Sequence, residues 1–213
     1  MDLFRYLQER NWTTLSGYFL FVGMMAAGYY YNLTFVQLGL FDLGERLIGM
    51  NERELARSMA YLALITCATA LVFGWVMLKR GWGQRFVVKL RVAFAVVLVQ
   101  TLLTVVAQYI RTEQAFLVWI FAAAIVLGVG VPATFGMTVD LIPVRDRGYV
   151  AAIITSAAYF FAAVLSLEWR IETFTSQLLL LMPLGVVGLG VSAFGKFGFI
   201  ERLAQQHVLP EFG

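Results

Sequence analysis

Six long stretches without a single charged side chain set the limits on what this sequence can fold into. They run from Asn11 to Phe41, Ser58 to Leu78, Val92 to Ile110, Gln114 to Val139, Gly148 to Leu167 and Thr173 to Gly195, and measure 31, 21, 19, 26, 20 and 23 residues. A helix rises about 1.5 Å per residue, so about 20 residues cross a hydrocarbon core roughly 30 Å thick. Soluble domains carry roughly 25% charged residues to solvate their exterior. This chain carries 14%, too few to clothe six buried apolar rods in water. A membrane β-barrel would alternate polar and apolar residues, whereas Val92–Val99 reads VAFAVVLV without a break. The expected fold class is an all-α polytopic membrane protein with six transmembrane helices. Their expected positions are Thr14–Leu38, Ala56–Leu78, Leu90–Ile110, Ala115–Val139, Tyr149–Leu167 and Ser176–Phe194. Residues 1–13 then form an N-terminal interfacial segment, 14–195 the transmembrane domain and 196–213 an amphipathic tail.

The connections alternate in charge. One face gathers eleven basic residues: Arg5, Arg10, Lys79, Arg80, Arg85, Lys89, Arg91, Arg145, Arg147, Lys196 and Arg202. The other holds Arg46, Arg53, Arg57, Arg111 and Arg170 with seven acids. The positive-inside rule places the eleven-basic face, with both termini, in the cytoplasm, in the plasma (inner) membrane of a prokaryote. The net charge of +3 is then a topology signal, and no nucleic-acid partner is expected. Trp12, Trp75, Trp82, Trp119 and Trp169 fall near helix ends, where interfacial belts form. The longest link is expected from about Gly39 to Leu55, with Asn51 capping a helix that begins Glu52–Arg53–Glu54.

Catalytic chemistry has little to work with. Cys67 is the only cysteine and His207 the only histidine, so neither a metal site nor a cofactor is expected, and the chain is read as no enzyme. Within the apolar stretches the neutral polar residues Tyr30, Asn32, Thr34, Gln37, Gln100 and Thr104 are candidates for a cavity wall. The competing reading makes them glue between helices, at about 0.6 kcal/mol per contact. Helix 4 carries Gly128, Gly130, Pro132 and Gly136, either for close packing or as a flexible element.

Two loops add a further signal. Helix 2 exits through Gly74–WVML–Lys79–Arg80–Gly81–Trp82–Gly83–Gln84–Arg85, and helix 4 exits through Asp140–Leu141–Ile142–Pro143–Val144–Arg145–Asp146–Arg147–Gly148. Both resemble loops of the major facilitator superfamily, in the N-terminal six-helix half, over about Leu15–Phe194. Leu78 stands at the acidic position of the first motif, and Ala124 where proton-coupled members carry a basic residue. The resemblance implies a 3+3 helix arrangement and a cytoplasmic network of Gly74, Lys79, Gly81, Arg85, Asp140, Arg145 and Arg147. It also implies a half-size transporter-like protein for a small organic or amphipathic solute, facing a second copy or a partner half. The alternative is a non-transporting subunit or assembly factor of a larger membrane complex. Membrane lipids, a second copy or another membrane subunit, and a small solute are the expected partners.

Overall fold

The computed structural model describes residues 12–142, 144–165 and 170–195. Residues 1–11 of the expected terminal segment 1–13 and the tail 196–213, with Pro143 and Trp169, lie outside the described residues. Every regular element among those described is helical. The first rod, α1, comprises Trp12–Tyr31 and continues through a π-helical segment, Asn32–Leu38, one α turn, Gly39–Phe41, and a second π-helical segment, Asp42–Ile48. Then follow α2 (Glu52–Lys79), α3 (Phe86–Ala107), α4 (Glu113–Leu141), α5 (Arg147–Leu165) and α6 (Ile171–Phe194).

Five helices, α2 to α6, are long and apolar enough to cross a membrane, one fewer than the six expected. The exception is α1, whose uncharged run is diluted by Tyr29, Tyr30, Tyr31 and by the threonines and glycines of Trp12–Tyr31. The chain is an integral membrane protein on the strength of those five.

The long link expected between helices 1 and 2 shrinks to Gly49, Met50 and Asn51. Leu40 and Leu43 are fully buried and Leu47 half-buried, a three-to-four-residue spacing that keeps the segment helical against the core. Gly49 ends it with φ of 80°, in the left-handed region where glycine carries no Cβ penalty. Asn51 then caps α2 as expected. Its side chain accepts from the Glu54 N–H, while the Glu54 carboxylate accepts from the Asn51 N–H, 3.0 and 2.9 Å.

The most extensive helix pairing is α2 against α4, and Gly128 explains it. A Cβ there would lie 2.6 Å from the Thr69 Cβ and 2.7 Å from the Thr66 carbonyl oxygen. The missing side chain lets the two backbones meet, and the Thr66 hydroxyl donates to the Ala124 carbonyl at 3.3 Å. On its other side α4 packs on α3, where Trp119 is buried and its Nε1 donates to the Leu103 carbonyl at 3.0 Å. Trp119 is therefore a core residue and not part of a lipid-facing belt, unlike Trp12 and Trp75, which are exposed. Helix α3 also packs on α6, with Gly190 beneath the Phe94 ring. Helix α1 runs against α5, where the Tyr29 and Tyr159 rings meet edge to face at 6.3 Å.

Two buried clusters fill the bundle. One gathers Phe35, Leu40, Phe116, Trp119, Ile120 and Phe174 toward the end where α1 closes and α6 begins. The other gathers Phe21, Leu90, Met137, Ile142, Val150 and Leu189 toward the opposite, basic end.

Gly128→Val should wedge α2 from α4 and lower stability by about 1–3 kcal/mol, the usual cost of overpacking. Gly185→Ala, at a site with nothing within 4 Å of the added carbon, should leave the unfolding midpoint in detergent near wild type. Equal midpoints for the two variants would contradict the packing role of Gly128.

Candidate functional site

Helices α1 and α6 are tied at one end and part toward the other. At the tied end Tyr30 and Phe35 meet the Phe174 ring, with centroids 5.6 and 6.3 Å apart. Beyond them the Asp42 carboxylate accepts from the Ile171 N–H at 3.0 Å, satisfying the first unpaired donor of α6. Arg46 locks this arrangement. Its guanidinium donates twice to Asp42, at 2.7 and 2.8 Å, and once to Glu172, at 2.6 Å. Those hydrogen bonds hold the Asp42 carboxyl below the usual carboxylate range against a smaller opposing effect of burial, with the Ile171 N–H adding to the depression. Helix α6 accordingly begins at Ile171, ahead of the Ser176 expected.

Where the helices part, a cleft of about 990 Å³ lies between them, floored by α3 and α4. This is the upper end of the roughly 300–1,000 Å³ typical of small-molecule pockets. Its walls are apolar almost throughout: Met24 and Ala27 from α1, Leu90 and Val97 from α3, Leu178 and Leu184 from α6. Four glycines share the lining, Gly23 and Gly28 on α1 and Gly185 and Gly188 on α6. Nothing lies within 4 Å of the position a Cβ would take on any of them. These glycines serve no backbone contact; they leave space.

Of the six polar candidates for a cavity wall, Tyr30 and Gln100 line the cleft. The others do not. Thr104 is fully buried behind it, where its hydroxyl meets the Tyr31 hydroxyl at 2.9 Å and donates to the Gln100 carbonyl at 2.8 Å. Tyr31 also donates to that carbonyl at 3.3 Å, which fastens α1 to α3. Thr34 is buried and donates to the Tyr30 carbonyl at 2.6 Å within its own helix. Gln37 is exposed away from the cleft. The Asn32 Oδ1 is buried without a hydrogen-bond partner among the described residues.

The glycines of α4 meet their neighbours closely. Besides Gly128, a Cβ added at Gly130 would lie 3.3 Å from Val96, and one at Gly136 would lie 2.8 Å from the Lys89 stem. Helix α4 is continuous through Pro132, whose ring would lie 3.7 Å from a Cβ added at Gly74 of α2. Gly74 is thus a helix-packing position and not part of the turn.

At the basic end the expected network is assembled differently from the expectation. The Asp140 carboxylate pairs with Lys89 at 2.5 Å. Lys89 had been counted among the loop cations, yet its side chain is 1% exposed, and its Nζ also donates to the carbonyls of Gly83 and Gly136 at 2.7 and 3.3 Å. A buried ammonium needs this many partners. Arg147 does stand near Asp140, and it caps the end of α4 by donating to the carbonyls of Val139 and Ile142 at 2.9 and 3.0 Å. Lys79 lies over the Trp75 ring at 4.9 Å, and Gly81, with φ of 64°, makes the turn out of α2. Arg85 and Arg145 are exposed.

Sequence reasoning missed Lys89 and the apolar wall. Lys89 shares one helix face with Ala93, Val96, Gln100, Thr104 and Ala107, all buried, a spacing of threes and fours that was readable. The glycine pairs of α1 and α6 were also visible, but attention to polar residues passed over them. The chain matches no protein-family model, no curated protein and no solved structure.

Lys89→Met should strand the Asp140 carboxylate and destabilise the fold by roughly 3–5 kcal/mol, as breaking a buried pair does. Lys89→Met with Asp140→Leu should recover part of that loss. Unfolding midpoints no lower than that of the exposed-site variant Lys79→Met would remove the ion pair from the account. The clamp carries a pH signature. Because the folded Asp42 carboxyl titrates below its unfolded value of about 4, its stabilisation is complete well above that pH and fades as pH falls through the folded value. Melting curves from pH 7 to 3 should steepen their decline at the acid end, and Asp42→Asn should flatten it. An acid slope unaltered by the substitution would exclude Asp42 as its source.

Proposed function

We propose that this chain is a membrane-transport half-domain that moves a small organic or amphipathic solute along the α1–α6 cleft. The facing wall would come from a second copy or a partner half. The cleft carries this reading: about 990 Å³ of apolar space between α1 and α6, beside two buried clusters that fill other parts of the bundle. A subunit that only filled a place in an assembly has no need of glycines that hold space open.

The pattern of helix pairs supports a 3+3 arrangement of the superfamily type. Exchanging helices 1 with 4, 2 with 5 and 3 with 6 carries the pair α2–α4 into α5–α1 and returns α3–α6 to itself. Those pairs match what two inverted three-helix repeats would give, while the α3–α4 pair maps onto α6–α1, which the cleft separates over much of its length. In this reading α1 is the sixth crossing, as its uncharged run from Asn11 to Phe41 allows. The basic ends of α2, α3 and α4 then face the cytoplasm with both termini.

The other reading, a non-transporting subunit, draws on the Tyr31–Thr104 hydroxyl pair, which fastens α1 to α3, and on Thr34, which bonds within its own helix; neither threonine lines the cleft. It loses one of its surfaces, since the Gly128 face of α4 is already spent against α2.

Purified protein in its native oligomer, sealed into vesicles, should move at least one member of a panel of amphipathic dyes faster than protein-free vesicles. Gly28→Leu with Gly185→Leu should reduce that flux about tenfold, equivalent to roughly 1.4 kcal/mol, with the melting temperature preserved. Flux equal to empty vesicles across the panel would refute transport. Flux indifferent to the filled cleft would refute this route.

A further inference from the structure

The cleft has a polarity along its length, and that polarity identifies an occupant. Its α1 wall extends from Phe19 to Tyr31, twelve residue steps at about 1.5 Å each, or about 18 Å. That is close to half of a hydrocarbon core roughly 30 Å thick, the depth of one leaflet. At the tied end the space stops against Tyr30, Tyr31 and Gln100. At the other end it reaches Phe86, Leu90 and Ser192, and Phe86 and Leu90 each have an arginine beside them in the chain.

Arg85 precedes Phe86 and Arg91 follows Leu90, and both side chains are exposed. Arg91 spans from α3 to α6: its Nε donates to the Ala193 carbonyl at 3.4 Å and its guanidinium lies 5.2 Å from the centre of the Phe194 ring. That posture uses one N–H and leaves the Nη groups for another acceptor. Neither arginine is ion-paired to a carboxylate among the described residues. The carboxylate at this end that adjoins a lining residue, Asp140 beside Leu141, is taken by Lys89. No acidic residue among those described lines the cleft.

We infer that the cleft binds one anionic glycerophospholipid from the adjoining leaflet, its acyl portion between α1 and α6 and its phosphate at Arg85 and Arg91. Planar guanidinium groups bind phosphate oxygens through paired, charge-assisted hydrogen bonds, and basic residues at a membrane face favour anionic headgroups. A second copy of the chain fits less well. A twofold axis along the membrane normal would bring the same two arginines of each copy to the same level, and neither is paired with a carboxylate among the described residues. The inference deepens the transport reading by naming the class of occupant, and rests on it only for movement of the lipid, not for binding.

The test is native mass spectrometry of the purified chain after equilibration with mixed micelles of phosphatidylglycerol and phosphatidylcholine in equal amounts. Wild type should retain phosphatidylglycerol in preference, by about tenfold for one or two phosphate contacts. Arg85→Gln with Arg91→Gln should abolish the preference. Gly28→Leu with Gly185→Leu should abolish retention of both lipids, and its unchanged melting temperature would show that the fold survives. Equal retention of the two lipids by wild type overturns the inference, as does a preference that survives both double variants. Loss of dimer mass in the glycine variant with lipid retention intact also overturns it, in favour of a second copy. Retention is read without any gradient. A chain that keeps phosphatidylglycerol yet moves no solute in vesicles would therefore end the transport reading and leave the lipid site standing.

Discussion

Helices immersed in lipid gain little from burying apolar surface against one another, because the hydrocarbon is as apolar as they are. What remains is close contact and a few polar bonds, and in this bundle the contact at Gly128 carries the arrangement. It brings α2 and α4 to backbone distance, so that Thr66 reaches the Ala124 carbonyl. Helix α4 then presents its other side to α3 through Gly130, Gly136 and Trp119. Helix α3 in turn supports α6. The walls of the cleft are placed by this succession, and the space between α1 and α6 exists because their own contact is confined to one end.

Two populations of glycine divide the labour. Gly128 and Gly136 leave no room for a side chain and draw elements together; Gly23, Gly28, Gly185 and Gly188 meet nothing and hold elements' surfaces apart. Composition cannot separate the two, because glycine in an apolar run looks the same in both roles. This is why the α4 glycines attracted attention in the sequence while those bordering the cleft did not. The difference lies in which neighbour the fold brings near.

Much of the architecture was readable before any coordinates. Charge-free runs announced five of the spanning helices, and Asn51 with Glu54 announced the start of α2. The link after α1 was misread because its charged residues, Asp42, Glu45 and Arg46, were weighed above the buried spacing of Leu40, Leu43 and Leu47. Among site residues, Tyr30 and Gln100 reach the cleft, while Thr104 fastens α3 to α1 and Thr34 bonds within its own helix. A hydroxyl in a helix has a ready acceptor in the carbonyl one turn back, so polarity alone does not say which way a wall faces. Lys89 reads as a loop residue on charge alone, although buried residues follow it on the same face as far as Ala107.

The two π-helical segments of α1 leave a lasting mark on that rod. Each wide turn takes in one residue more than an α turn would, and neighbouring side chains are about 100° apart around the axis. Everything past Tyr31 is consequently out of phase with the preceding half. Leu40 and Leu43 point into the core, and Asp42 meets α6, at angles an uninterrupted α-helix would have assigned to other positions. Removing one residue from Asn32–Leu38 would therefore do more than shorten the rod. It would turn the carboxylate away from Ile171 and detach the joint on which the V of α1 and α6 is hung.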